Sequence, residues 1–368
     1  MPQVRKSLEQ FRPIFNAMKK AFLSLVAFVF ATVCFAQGSL LATLSHNGQI
    51  SAYYGASALK TALEAAADGD VITLSSGQFN AADITKAVTL RGAGMSVSTD
   101  SLQTHESTII QGDYAINLAD TLQGRINMEG IYMNGIVTYK GTVKNAQFLK
   151  CRFSGLGYSN GKLTNTTFIH CRFADYCHIA DNSNAYFINC VVNRLKQLYS
   201  SSNLEMDNCF VHFQYDGSGY MPGDCNNTYF KNCILSYQNS STSFYNCLPT
   251  TCVAYNCVGI GNANNIFTNL QSKNTTNTWV GSDCASVFKT YTAYNSTSIL
   301  SDSETFELTD EAKTKYLGTD GTQVGLYGGS LVYNEHPTTP QITKCNVAAK
   351  STADGKLSVD IEVKAAEY

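Results

Sequence analysis

The sequence contains no CxxC pair, little charge and, outside its N-terminal leader, no run approaching the roughly 20 apolar residues of a membrane span. Without a CxxC pair, the 13 cysteines lack the usual spacing of zinc ligands. Charged residues make up 15% of the chain and the net charge is −2, so the basic footprint of a nucleic-acid-binding protein is missing. Sparse charge with abundant Asn, Ser, Thr and Tyr favours extracellular β-structure over a cytosolic enzyme.

The N-terminal leader has the pattern of a secretory signal peptide. Residues 18–36 combine a basic start, an apolar stretch and a small residue at the end. We therefore expect residues 1–17 to be an unused upstream start, with cleavage near Ala36 and export to the periplasm, cell surface or medium. The alternative is a lipoprotein lipidated at Cys34, which the large Val33 disfavours. Removal of the leader leaves 21 basic and 27 acidic side chains, a net charge of −6.

The phrase Asn-x-x-Phe-x-x-Cys recurs with a period near 20 residues. It is found at 145–151, 165–171, 184–190, 203–209 (with Met206) and 227–233, and in weaker form at 241–247. Successive cysteines are 20, 19, 19, 24 and 14 residues apart, with 10 more to Cys257. A fixed period indicates one supersecondary unit stacked on copies of itself. The unit is too short for a helical hairpin repeat and lacks a leucine-rich signature, so the prediction is an all-β parallel β-helix.

One repeat reads as strand, bend, strand. The apolar positions Phe148, Cys151 and Phe153 break a two-residue alternation once, and that break requires a bend. The residue before each cysteine is Lys150, His170, Asn189, Asn208, Asn232, Asn246 and Asn256 in turn. Asparagine tolerates the left-handed backbone region better than almost any other non-glycine residue. We therefore expect an asparagine ladder at the bends, with Phe and Cys columns inside that repeat every ~4.8 Å.

The cysteine column predicts free thiols rather than disulfides. Parallel stacking spaces Cβ atoms by about 4.8 Å, whereas a disulfide requires about 3.5–4.5 Å. The predicted reduced column is Cys151, Cys171, Cys190, Cys209, Cys233 and Cys247. Five cysteines lie off this column and are available for pairing of undetermined connectivity: Cys177, Cys225, Cys252, Cys284 and Cys345.

Four segments are predicted along the chain. The leader is followed at 37–69 by a strand pair turning at Asn47-Gly48 and a capping helix. The β-helix occupies 70–335, and 336–368 forms a linker and a small β-hairpin. The helix is expected from Ser57, its N-cap, to Ala67, with an apolar face of Leu59, Ala62, Leu63 and Ala66. A second short helix is expected within 301–315.

Three segments resemble the pectin-lyase-like right-handed parallel β-helix proteins. Gly69–Phe79 and Ile84–Gly94 look like the opening of such proteins, and Asp320–Gly329 looks like the closing motif of those exported by Gram-negative anaerobes. The resemblance covers roughly 40–330 and implies a right-handed, single-stranded parallel β-helix. It does not specify a function, because this fold carries lyases, hydrolases, esterases, epimerases, adhesins and inert scaffolds.

The catalytic signatures of the familiar enzymes on this fold are missing. The sequence has neither the paired Asp-Asp with Gly-His-Gly of galacturonan hydrolases nor the Arg-x-Pro-x-x-Arg of pectate lyases. The Asp-rich calcium repeats of nonapeptide β-rolls are also missing. The first hypothesis is therefore a non-catalytic, monomeric, exported protein that presents one face to a polysaccharide or another surface. A purely structural adhesin is a further alternative.

Counting from the ladder cysteines predicts a lateral strip of exposed side chains. The strip consists of Tyr158, His178, Gln197, Tyr199 and Asp216. Aromatic rings beside amide and charged groups suit an extended sugar chain, so these are the predicted ligand-binding residues. His170, at a bend, is expected to be structural, and His212 to be exposed.

The second hypothesis is a polysaccharide lyase acting on the same face. Lys196 or Arg194 would then take the proton, with Asp175 and Asp181 near a Ca²⁺. Under the first hypothesis no cofactor is expected.

Overall fold

The structure is a computed structural model. It describes residues 40–96, 107–119, 125–197, 202–214, 222, 225–238, 247–261, 265–270, 276–291, 304–335, 341–347, 355–356 and 358–364. The leader predicted at 1–36 lies outside these residues, as do Tyr199, Asp216 and Asn246.

The N-terminal segment closes one end of the fold as predicted. Strands β1 (Leu41–His46) and β2 (Gln49–Tyr54) pair antiparallel around Asn47-Gly48, where both residues have positive φ, 50° and 79°. Helix α1 (Ala58–Ala65) buries Ala58, Leu59, Ala62 and Leu63. Ser57 occupies the N-cap position, but its side chain makes no capping hydrogen bond.

The remaining strands follow at short intervals. In the first half they are β3 (Val71–Leu74), β4 (Gly77–Asn80), β5 (Thr89–Arg91), β6 (Thr108–Gln111), β7 (Tyr114–Asn117), β8 (Asn127–Glu129), β9 (Ile131–Lys144), β10 (Gln147–Leu149), β11 (Arg152–Thr164), β12 (Thr166–Ile169) and β13 (Arg172–Ile179). In the second half they are β14 (Asn184–Ile188), β15 (Val191–Asn193), β16 (Leu195–Gln197), β17 (Asn203–Asp207), β18 (Phe210–Gln214), β19 (Thr228–Lys231), β20 (Ile234–Gln238), β21 (Val253–Tyr255), β22 (Val258–Gly261) and β23 (Thr278–Gly281). Within the described part of the later coils, two 3₁₀ turns are found, Thr268–Leu270 and Cys284–Ser286.

These strands form a parallel β-solenoid of about eight turns. Within the described residues, sheet A has the order β2-β1-β3-β5-β8-β10-β12-β14-β17-β19-β21. Sheet B has the order β23-β22-β20-β18-β15-β13-β11-β9-β6-β4, with β7 beside β9 and β16 beside β13. The chain passes from sheet A to sheet B at the predicted bends that the structure describes.

The bends have the predicted left-handed backbone. Positive φ values between 47° and 54° are found at Lys150, His170, Asn189, Asn208, Asn232 and Asn256. Inside the bends, the rings of Phe148, Phe168 and Phe187 stack at 4.9 and 4.8 Å between centroids. Both distances match the spacing of neighbouring strands, so the phenylalanine column is confirmed.

The cysteine column is confirmed except at its last member. Its described members are buried free thiols at Cys151, Cys171, Cys190, Cys209, Cys233 and Cys257. Cys257 takes the position predicted for Cys247, because Val258 pairs with Ile234 as Ile234 pairs with Phe210. Cys247 is only partly buried and lies near the Asn265 carbonyl oxygen, at 3.4 Å. The intervals of 14 and 10 residues therefore add up to one coil.

Four of the five off-column cysteines are buried inside the protein. Cys177 and Cys284 are buried free thiols. Cys225 and Cys252 are buried too, and the Cys252 thiol lies 3.4 Å from the Cys225 carbonyl oxygen.

A second apolar layer covers the outside of sheet B in the later coils. The residue after each cysteine points outward, and it is apolar at Val191, Phe210, Ile234 and Val258, all of them buried. These side chains belong to a cluster with residues of the C-terminal segment, including Phe288 and Phe306. The Phe210 and Phe306 rings stack at 4.1 Å. Among the described residues, parallel coil pairing ends at β23, so the last part of the predicted 70–335 coil region is this cover.

Residues 316–335, which we call the strap, run back along the bends. The Asn256 amide donates to the carbonyl oxygen of Leu317. Three bends earlier, the Asn189 amide donates to the carbonyl oxygens of Leu326 and Gly328. His170 Nε2 lies 3.3 Å from the Leu331 carbonyl oxygen. The segment Asp320–Gly329, identified from sequence as a closing motif, is thus bound by the asparagine ladder.

The C-terminal elements also agree with the sequence. Helix α2 (Asp310–Lys315) is the short helix expected within 301–315. Strands β24 (Gln341–Val347) and β25 (Val359–Lys364) form the predicted antiparallel hairpin. Val359, Ile361 and Val363 on β25 are 50–60% exposed.

Candidate functional site

The predicted strip does not form one column on sheet B. His178 pairs with Lys196, and Ile179 pairs with Gln197. Leu156 pairs with Cys177, which places His178 beside Gly157 rather than Tyr158. The register shifts after Phe153 because β13 contains one more residue there than β11. A one-residue shift moves a side chain to the opposite face, so the constant count from the cysteine was wrong.

Tyr158 lies on the inner side of its strand. It pairs with the buried Tyr139, the two ring centroids are 6.1 Å apart, and Tyr158 packs against the main core. The Tyr139 hydroxyl donates to the His178 carbonyl oxygen and accepts from the Ala180 N–H. Tyr158 and His178 therefore do not share a face.

The outer face of β13 and β16, together with the residue before β16, carries a cluster that we call the basic patch. It consists of Asp175, Tyr176, His178, Arg194 and Lys196. The Tyr176 and His178 rings lie 4.5 Å apart at 33°. Arg194 Nη1 is 2.7 Å from Asp175 Oδ1. The structure thus brings together four sequence-predicted residues and adds Tyr176.

The backbone beneath the patch is adapted to it. A Cβ atom on Gly155 would come within 2.8 Å of the Tyr176 ring, so the glycine leaves room for that ring. Arg194 has φ 48°, a conformation uncommon for a long side chain. The backbone N–H of Arg194 donates to the His212 carbonyl oxygen at 2.9 Å.

The patch holds a neutral imidazole among cations. Burial, together with the neighbouring Lys196 and Arg194, lowers the pKa of His178 to about 4. At neutral pH, His178 is therefore uncharged. Among the five side chains of the patch, the charges of Arg194 and Asp175 offset one another and Lys196 adds a further positive charge, in a chain whose net charge is −2.

A second group, which we call the amide cluster, lies on the outer face of the preceding coils. The Asn134 amide donates to Gln111 Oε1 at 2.7 Å, and its oxygen accepts from the Tyr132 hydroxyl at 3.0 Å. Ser154 Oγ is 3.4 Å from both Asn134 Oδ1 and the Tyr132 hydroxyl. The Arg152 guanidinium sits 4.3 Å above the Tyr132 ring. The prediction from sequence missed these residues because it considered the positions four to nine residues after each column residue. The residues of the amide cluster lie one and three residues after the column residue of their coil.

The two singled-out histidines differ in outcome. His170 is buried at a bend, as expected. His212 was predicted to be exposed and is buried beneath the C-terminal cover, 3.2 Å from Ser236 Oγ and 3.5 Å from the Tyr291 hydroxyl. Burial lowers its pKa to about 4.

The acidic residues of the predicted calcium site have other contacts. Asp175 is bound by Arg194, and Asp181 Oδ1 accepts from the Asn182 N–H at 2.9 Å. Within the ranges that the structure describes, no three Asp, Glu, His or Cys side chains are grouped as metal ligands.

A cavity of 560 Å³ beside α1 has a structural lining. Its Lys86 donates to the carbonyl oxygens of Leu63, Glu64 and Ala66 at the end of the helix. Its Asp83 accepts from the Ala115 N–H.

No protein family, curated protein or solved structure matches this chain. Among the described residues, no helix combines the length and apolar character needed to cross a membrane.

Proposed function

We propose that this chain is an exported β-helix protein of the pectin-lyase-like type that binds an acidic polysaccharide on the outer face of sheet B. The basic patch is the observation that carries the proposal. A uronate-type sugar offers a carboxylate to Lys196 and a ring face to Tyr176. The amide cluster on the preceding coils supplies donors and acceptors for sugar hydroxyls, so an extended chain would cross several coils.

The electrostatics favour an anionic ligand. The chain as a whole is acidic, and a local positive patch on such a surface attracts anions selectively. Charge-assisted hydrogen bonds are about twice as strong as neutral ones. Because the Arg194 side chain is already held by Asp175, it loses little freedom when a ligand binds.

Replacing Lys196 by Gln should weaken binding of polygalacturonate about tenfold, equivalent to about 1.4 kcal/mol. Affinity electrophoresis of the folded chain in gels containing polygalacturonate, alginate or hyaluronan measures the effect. Lys60→Gln on α1 is the matched control, because it removes the same charge from an exposed site. If both variants weaken polygalacturonate binding equally, the effect comes from the overall charge of the protein and not from the basic patch. Absence of retardation in all three gels would reject the proposal.

A lyase acting on the same face is the second candidate, and neutral His178 favours it. In this reaction the imidazole removes the proton at C5 of a uronate whose carboxylate Lys196 neutralises. The C4–O4 bond breaks, a C4=C5 double bond forms, and the leaving oxygen takes a proton from the Tyr176 hydroxyl. Arg194, the other base expected from the sequence, is held in an ion pair with Asp175.

If the chain is a lyase, His178→Asn should abolish formation of the unsaturated, ultraviolet-absorbing product. The rate should fall as the pH drops through about 4, because the imidazole then takes up a proton and ceases to be a base. Product release from the three acidic polysaccharides measures both effects, with Lys60→Gln as the control. Binding without any such product would leave the non-catalytic function as the answer.

A further inference from the structure

The outer face of sheet A carries a second ordered group of side chains in the later coils. Register places Tyr186, Glu205 and Tyr229 side by side on β14, β17 and β19. Two residues further along these strands, Asp207 pairs with Lys231, and Lys231 pairs with Tyr255 of β21. We call these six residues the tyrosine platform.

The platform faces outward because the residues between its members fill the core. Phe187, Met206 and Phe230 alternate with platform residues and are fully buried. The Tyr229 and Tyr255 rings lie 5.5 Å apart at 46°. Tyr255 is 37% exposed, and Glu205 is exposed as well. Neighbouring strands thus hold partly exposed aromatic rings on the outer face of sheet A.

The charges of the platform differ from those of the basic patch. Lys231 Nζ is 2.9 Å from Asp207 Oδ2, so these two charges offset one another. Glu205 remains, which gives the platform a net negative charge. A polyanion is therefore disfavoured here, whereas the hydroxyl groups of an uncharged sugar suit the carboxylates, the ammonium and the tyrosine hydroxyls.

We propose that the tyrosine platform is a binding site for a neutral polysaccharide chain running across the coils. Tyr186 and Tyr229 are two strands apart, about 10 Å at the usual strand spacing, so their rings can meet successive parts of one extended chain. A tyrosine ring combines an apolar face with a polar tip, as sugar recognition requires. The Asp207–Lys231 pair and the neighbouring rings order the site before binding, which reduces its entropy cost. This inference does not depend on the function proposed for sheet B.

The test compares Tyr229→Ala/Tyr255→Ala with the native chain by affinity electrophoresis in gels containing mixed-linkage β-glucan, xylan or galactomannan. Native protein should be retarded by at least one of these neutral polymers, and the double variant should lose at least tenfold in affinity. Tyr54→Ala is the matched control, because it removes a tyrosine that is 67% exposed on β2. If the double variant fails to fold, Tyr255→Ala alone is the substitute test, because Tyr255 is 37% exposed. It should lose affinity for the neutral polymer, by a smaller factor than the double variant.

Several results would overturn the proposal. The native chain could pass all three neutral gels without retardation, or the platform variants could be retarded as strongly as the native chain. Light scattering that shows a native dimer and a monomeric double variant, without glycan retardation, would assign the face to self-association. Polygalacturonate binding should be unchanged by the platform variants and weakened by Lys196→Gln, so the two proposals fail separately.

Discussion

Phe168→Ala lowers the free energy of unfolding by about 3–5 kcal/mol, the range for a fully buried phenylalanine. The Phe168 ring contacts four other phenylalanine rings at centroid distances from 4.8 to 6.0 Å. Backbone hydrogen bonds between parallel strands fix the separation of the coils, so the neighbouring rings cannot close the cavity. The loss should therefore lie in the upper part of the range.

Urea unfolding followed by circular dichroism measures this loss. Tyr54→Ala, which removes an exposed ring, should change the stability by less than about 0.5 kcal/mol. Because stacked repeats need not unfold in one step, the midpoints of near- and far-ultraviolet signals must coincide before a single free energy is assigned. A loss under about 1.5 kcal/mol would mean that the phenylalanine column adjusts and is not a rigid stack.

The repeat predicted the coil because its residues act locally. Left-handed bends need Asn or a similar residue, and inward columns need Phe and Cys at constant register. Both requirements are visible in the spacing of Asn189, Cys190 and their equivalents. Cys247 was assigned to the column because it ends a weak copy of the repeated phrase. Cys257 is the actual member, because it lies one full coil of 24 residues after Cys233.

The candidate site was less accessible from sequence because it depends on contacts between coils. One added residue near Asp175 turns His178 to the outer face and leaves Tyr158 on the inner face. No local pattern signals that addition. The buried outward positions, Val191 and Phe210 among them, do carry a signal: their apolar character predicts a cover on a face that was expected to be polar.

The cover and the strap restrict where a ligand can bind. In the later coils, the outer face of sheet B is occupied by the chain itself, since Phe210 stacks on Phe306. The half-exposed basic patch lies on β13 and β16, and the tyrosine platform on a different wall. The outer face of sheet B is thus covered by the chain itself in the later coils and carries the basic patch before them, whereas the tyrosine platform, of opposite net charge, lies on sheet A.

Asn189→Ala should destabilise the protein by about 3 kcal/mol, more than an average buried hydrogen-bonding residue. The Asn189 amide donates to Leu326 and Gly328 at 2.7 and 2.9 Å, and each such bond contributes about 1 kcal/mol. Its φ of 47° adds about 1–2 kcal/mol of strain for alanine. Unfolding in urea gives the total, and hydrogen exchange of strap amides shows whether the strap is released.

Two further variants separate the strap contacts from the backbone strain. Asn189→Gly removes both hydrogen bonds but tolerates the positive φ. Its free energy of unfolding should therefore exceed that of Asn189→Ala by about 1 kcal/mol or more. Asn160→Ala is the matched control, because exposed Asn160 has φ 54° and lies away from the bends of the ladder. It should show the strain alone and leave strap exchange unchanged. If Asn189→Gly proves as stable as the native chain, the ladder turns the chain without holding the strap, and the strap must depend on its apolar contacts instead.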